Sequence, residues 1–195
     1  MPKYLHYIDG WSRVENIWTG QYDLAIIVDT AAEALLVKTL EIPGIRHFFE
    51  THPVLVLDHL NDEREDETAE SSLSFPHEFI LDEAAAATSE LLYAIANELN
   101  WPINQAAAEN MHASILGDTL GLSTQSLTER TLETVLGLTK HGAHPSSIEQ
   151  KRREYMKKPA DILTYKGELI QRIEYYCDGR LALVHIPWED IAGIS

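Results

Sequence analysis

The chain has 195 residues, 45% hydrophobic and 24% charged, which is the composition of a folded domain rather than a disordered tract. Its net charge of −16 argues against a duplex-DNA surface, and its single cysteine, Cys177, rules out an internal disulfide. No apolar run is long enough to span a bilayer, and MPKYLHYIDGW lacks a signal-peptide core, so a cytoplasmic protein is expected.

In chain order, KYLHYI (3–8) is a candidate for a further strand. QYDLAIIVDTA (21–31) is a short, β-branched apolar run, predicted as a strand buried on both faces of a parallel sheet. AAEALLVKTLE (31–41) follows with helix formers and is stopped by IPG at 42–44. HPVLVLDH (52–59) is the next strand, completing a right-handed βαβ unit. The acidic tract NDEREDETAESSLS (61–74) reads as a solvated loop.

Leu81, Ala84, Thr88, Leu91, Leu92, Ile95 and Leu99 recur at helical spacing, so a helix is predicted over 81–99 with Asp82 and Glu83 at its positive end. WPIN (101–104) opens another helix, with Pro102 near its first position. The capping-box forms Ser126-Leu-Thr-Glu129 and Ser146-Ser-Ile-Glu149 place helix starts at about 127 and 147. KHGAHP (140–145) reads as a helix C-terminus stopped by Gly142, and KRREYMKK (151–158) as the solvated, cation-rich end of a helix. GELIQRIEYY (167–176) and RLALVHI (180–186) alternate around Asp178-Gly179, predicting two strands and a tight hairpin turn. Cys177 is expected as a semi-buried hydrophobe in the first of them. The expected architecture is a doubly wound, mainly parallel α/β sheet with helices on both faces, followed by a short C-terminal β-hairpin. The expected boundaries are an α/β domain over 1–150, a helical linker over 151–165 and a second lobe beginning at 166–195.

Two predicted parallel strands end in acids, LAIIVD at Asp29 and VLVLDH at Asp58-His59. Ligands of open α/β sheets bind beyond the carboxyl ends of the strands. A third acid, Asp118, closes a predicted helix in SILGDTLGL. Carboxylates brought together need a cation, a proton or distance; a divalent ion such as manganese suits two or three carboxylates and one imidazole. Asp29 also suits an N-cap on the helix after it, and His59 a hydrogen bond to a loop, so spacing alone leaves both uses open. His77 and His112 read as structural residues.

In order, DLAIIVDTA, VLVLDHLND, LDEAAAATSELLYAIANEL and SILGDTLGLST resemble successive motifs of the DHH phosphoesterases over about residues 1–150. That family contains short-oligonucleotide exonucleases, pAp phosphatases and manganese-dependent pyrophosphatases. The resemblance implies that Asp29, His59 and Asp118 bind metal and that Asp58 belongs to the catalytic group as the acid orienting the ligands. It implies paired manganese ions that generate a hydroxide and polarise a phosphoryl oxygen. It also implies a substrate that is a short oligonucleotide or small nucleotide phosphate. Three positions depart from the family. No His-x-Asp-x-Asp string precedes Asp29, so the DHH-like domain is expected to be N-terminally incomplete. Leu60 stands where the second histidine contacts phosphate, and Leu120 stands where Asp-Thr-Gly carries its glycine. The hairpin resembles the start of the family's substrate-binding domain. The expectation is therefore a partial phosphoesterase, with an inactive nucleotide-binding or regulatory module as the alternative; a homodimer is compatible with either.

Overall fold

The computed structural model describes residues 2–15, 17–59 and 72–192. Two compact units make up the chain, Met1–Arg152 and Arg153–Ser195. Leu60 and the stretch 61–71 of the acidic tract lie outside the described residues.

The first unit is built on a three-stranded parallel sheet, β1 (Ala25–Val28), β2 (Val54–Asp58) and β3 (Glu78–Leu81), in that spatial order. Ala25 pairs with Val54 and Val28 with Leu57; Leu55 pairs with Glu78 and Asp58 with Leu81. The central strand β2 is the most apolar of the three and is buried except at Leu55. Val56 is wholly enclosed, a burial worth roughly 1.5–3 kcal/mol. On one face Ile27, Val54 and Val56 meet Leu40 of α1 (Glu33–Leu40), Ile45, Phe48 and Phe49 of α2 (Ile45–Thr51), and Phe75. From the other face α3 (Thr88–Glu98) packs on β2.

A second core, of Ala108, Ala113, Ile115, Leu116, Leu138 and Ile148, joins α4 (Gln105–Asp118), α5 (Glu129–Lys140) and α6 (Pro145–Tyr155). This is the helix-covered parallel sheet anticipated from the apolar runs.

Several local expectations are corrected. KYLHYI forms a 3₁₀ turn over Lys3–Leu5, not a strand. Among the described residues β1 lies at the edge of the sheet with its second face open: Ile26 is 55% and Val28 49% exposed, so its apolar run does not report burial on both sides. The crossover holds two helices, because Gly44, at φ +90°, ends the IPG break and starts α2. Residues 81–99 are not one helix. EFIL pairs in register with β2 as β3, and the alanine run up to Ala87 is a turn-rich loop. Strand pairing here overrides a helical spacing that continues across the boundary.

α4 starts after Asn104, whose side chain accepts the Ala107 N–H at 2.8 Å, rather than at Pro102. α5 is capped by Thr128, with Thr131 as its reciprocal partner, and α6 begins at Pro145, which needs no N–H there. At the end of α5 the Ala143 N–H bonds to the Leu138 carbonyl and the Gly142 N–H to that of Thr139; this is the glycine stop expected of KHGAHP.

The second unit contains α7 (Ala160–Gln171), the antiparallel strands β4 (Glu174–Tyr176) and β5 (Leu181–Leu183), and α8 (Trp188–Ala192). The whole of GELIQ (167–171), predicted as the first half of a strand, is therefore helix, with good helix formers following Pro159. Asp178 and Gly179 both take positive φ, and the Arg180 N–H bonds to the Cys177 carbonyl, forming the expected turn. Cys177 itself is exposed in that turn, not semi-buried in a strand. The Tyr165 hydroxyl and Arg172 both hold Asp190.

Candidate metal centre

The parallel register sets the geometry of the sheet edge. Val28 pairs with Leu57, so Asp29 and Asp58 follow side by side at the carboxyl ends of β1 and β2. The Asp29 N–H continues the ladder to the Leu57 carbonyl at 2.9 Å, but its φ of +65° turns the chain off the sheet. Aspartate tolerates this left-handed conformation better than most residues. Asp29 does not cap α1, whose N-cap is Ala32 with no side-chain bond. Its Oδ1 accepts the Thr88 hydroxyl at 2.7 Å instead.

His59 is buried, and its Nδ1 lies 3.1 Å from the Ala85 carbonyl. A carbonyl only accepts, so Nδ1 carries a proton, and in the neutral ring it is Nε2 that holds the free lone pair. Nε2 faces Asp29 Oδ1 at 3.7 Å. Asp118 arrives from the last position of α4, at the negative end of that helix. Desolvation, and next the like charge of Asp29, raise its carboxyl above the ordinary aspartate value, while His59 opposes the shift. The side chain nevertheless reaches solvent, and that moderates the effect.

Asp29, His59 and Asp118 each present one ligand atom, and these atoms lie within 4.8 Å of one another. At that separation two bare carboxylates repel by about 3 kcal/mol at an effective dielectric of ~20, before solvent screening. Ligands of one ion at bonds of about 2.1 Å lie about 3 Å apart when adjacent and about 4.2 Å apart when opposite. Asp118, exposed and at the end of α4, is the side chain free to rotate and close that gap, and Nε2 of the neutral imidazole supplies the nitrogen lone pair. The donor set fits a divalent cation that prefers oxygen with one nitrogen.

Asp58 is placed differently. Its carboxylate is buried and accepts the His59 N–H at 2.7 Å, and its carbonyl accepts the Asp82 N–H at 3.1 Å. It shapes the turn that delivers His59 and is not one of the three convergent groups. His77 bonds to the Phe75 carbonyl through Nδ1, and His112 is enclosed within α4; neither joins the cluster. Sequence reasoning missed Thr88 and the Ala85 carbonyl. Their signal was AAAATSE: side chains this small before a hydroxyl residue permit a loop to approach closely.

No protein-family model matches the sequence, and no curated protein is similar to it. The fold is shared with an exopolyphosphatase-related protein. That solved structure, from Bacteroides fragilis, superposes on 98% of this chain with a TM-score of 0.74 and 16% identity. The match covers 55% of the other chain, so the present sequence spans about half its length. A more distant likeness, with a TM-score of 0.49 and 15% identity, is to a putative family II inorganic pyrophosphatase from Methanococcus jannaschii. It covers 72% of this chain and 43% of that one. Among the described residues no helix is long and apolar enough to cross a membrane.

Proposed function

We propose that the chain forms part of a manganese-dependent phosphoesterase of the DHH type, acting on short oligonucleotides or small nucleotide phosphates. The observation that carries this reading is the convergence of Asp29, His59 and Asp118 beyond the carboxyl end of a parallel sheet, from three separate stretches of the sequence. The order of the motifs that resemble the DHH family and the fold shared with an exopolyphosphatase-related protein support it. In this reading the second unit begins a substrate-binding domain.

A bound divalent cation supplies Lewis acidity toward a phosphoryl oxygen and toward an attacking water. The chain's own groups do the rest. Asp29 and Asp118 offer the negative charge that holds the ion, and His59 offers Nε2. Thr88 fixes one oxygen of Asp29, so that its ligand orientation precedes binding. Asp58 orients the His59 backbone and acts on the ligands from behind them.

One position favours a second reading, an inactive nucleotide-binding module. Leu60 follows His59 directly, where the DHH motif carries a histidine, and leucine can neither donate to phosphate nor move a proton. Calorimetry with Mn²⁺ and hydrolysis of a short oligonucleotide or a nucleotide bisphosphate separate the readings. Stoichiometric uptake with His59-dependent turnover is the result expected of the phosphoesterase. Uptake and nucleotide binding without turnover point to the second reading, and no stoichiometric uptake defeats both.

A further inference from the structure

We infer that Glu90 is a positioning residue for His59 and acts on it through a single peptide group. The carbonyl that takes the His59 Nδ1–H belongs to Ala85. The N–H of that same peptide plane belongs to Ala86, and it donates to Glu90 Oε2 at 3.1 Å. One amide is thus engaged at both ends, by an imidazole on its oxygen and by a carboxylate on its nitrogen.

Glu90 has no exposed surface, and a buried carboxylate needs specific partners to remain charged. Its Oε2 also accepts the Thr131 hydroxyl at 3.0 Å, and its Oε1 lies 3.1 Å from Arg130 Nε. Nη2 of that arginine reaches Asp82 at 2.6 Å, at the start of the loop that carries Ala85. The charge is therefore held between the loop before α3 and the first turn of α5.

An anion on an amide N–H drives electron density toward the carbonyl oxygen, and hydrogen bonds in series strengthen one another by roughly 10–30%. The Ala85 oxygen becomes the better acceptor, Nδ1 keeps its proton, and Nε2 becomes the better donor to a cation. Metal-binding histidines are commonly backed by a carboxylate directly. Here a peptide is interposed, and the same carboxylate ties the ligand to α5. A purely structural Glu90 would staple α3 to α5 and leave the imidazole indifferent to its charge.

The relay rests on His59 as the ligand of the proposed metal site, yet the state of the imidazole is readable without any cation. Long-range ¹⁵N–¹H spectra of the metal-free protein at about pH 8, above the ordinary imidazole range, report which nitrogen is protonated. The His59 signals are assigned by comparison with His59→Gln. The expected result is the Nδ1–H form with a downfield Ala86 amide. Glu90→Gln keeps size and an acceptor oxygen but removes the charge. It should shift the His59 nitrogens, move the Ala86 amide upfield and weaken Mn²⁺ binding about tenfold to a hundredfold. An Nε2–H form in the wild type overturns the inference. So does a Glu90→Gln protein that is less stable yet has unchanged His59 signals. Should Glu90→Gln not fold, the wild-type tautomer and the Ala86 amide decide alone. Absence of Mn²⁺ uptake by the wild type defeats the proposed function instead and leaves the relay to the spectra.

Discussion

The Thr88 hydroxyl donates to Asp29 Oδ1 at 2.7 Å, joining the first residue of α3 to the residue that follows β1. The same Oδ1 lies 3.7 Å from His59 Nε2, so one oxygen is shared between a fixed donor and the candidate ligand cluster. Thr88→Val is nearly isosteric and deletes the donor alone. A hydrogen bond to a charged group contributes about 1.5–3 kcal/mol at most, less where the carboxylate is solvated as here. The expected outcome is Mn²⁺ affinity lowered about tenfold, with Thr88→Ser restoring most of it, both read by calorimetry. An unchanged affinity in Thr88→Val would show that Asp29 orients itself.

Two histidines provide an internal comparison. His59 offers its lone pair at the cluster, whereas His112 is enclosed in α4 away from it. His59→Ala should abolish stoichiometric Mn²⁺ uptake, and His112→Ala should leave it intact when measured well below its melting temperature. Parallel losses from both would count against His59 as a ligand. Asp29→Asn extends the comparison, because asparagine keeps the left-handed backbone and loses the charge. It should weaken uptake about tenfold or more without unfolding the chain.

The three convergent groups were legible because each closes an apolar run or a helix, and the parallel topology that such runs imply sends strand ends to one edge. What was not legible depends on packing. β3 is four residues with one flank of alanines, so its apolar spacing merges with that of α3; only pairing to β2 separates them. β1 carries the composition of an interior strand while lying at an edge among the described residues, and composition does not register a neighbour. The residues that orient the site, Thr88, Ala85 and Glu90, act across 26 to 59 residues of chain or through backbone atoms, where a one-dimensional pattern has no purchase. Gly142 and the Asp178-Gly179 turn were legible for the opposite reason, since a positive φ is a local demand.

Glu33 makes a pH prediction about the start of α1. The Ser74 hydroxyl, the Arg46 guanidinium and the Ser74 N–H together hold its carboxyl down at about 2. A carboxylate depressed in the folded state stabilises it above the unfolded value and loses that contribution as pH falls toward the folded one. The window therefore runs from the ordinary glutamate range down to about 2. Urea unfolding should show Glu33→Gln less stable than wild type near neutrality, with the two curves converging as the solution is acidified through that window. Added salt should narrow the neutral-pH difference, because the group is solvated.

His112 gives the opposite kind of pH test, in which burial alone is the cause. Its side chain is fully enclosed, and neither ring nitrogen has a hydrogen-bond partner among the described residues. Desolvation lowers its pKa from the ordinary imidazole value, so the folded chain resists the proton that the unfolded chain accepts. Stability is then unaffected above about pH 6.5 and falls as pH drops below it, with a slope approaching 1.4 kcal/mol per unit, until the folded imidazole also protonates. His112→Leu removes both unpaired nitrogens and the titration while keeping most of the volume. The variant should equal or exceed the wild type in stability at about pH 7.5, and its advantage should widen on going to about pH 5. Urea unfolding of both proteins at the two pH values checks this, the difference between them cancelling the histidines they share. A constant difference would mean that His112 is charged or hydrogen-bonded in the folded protein.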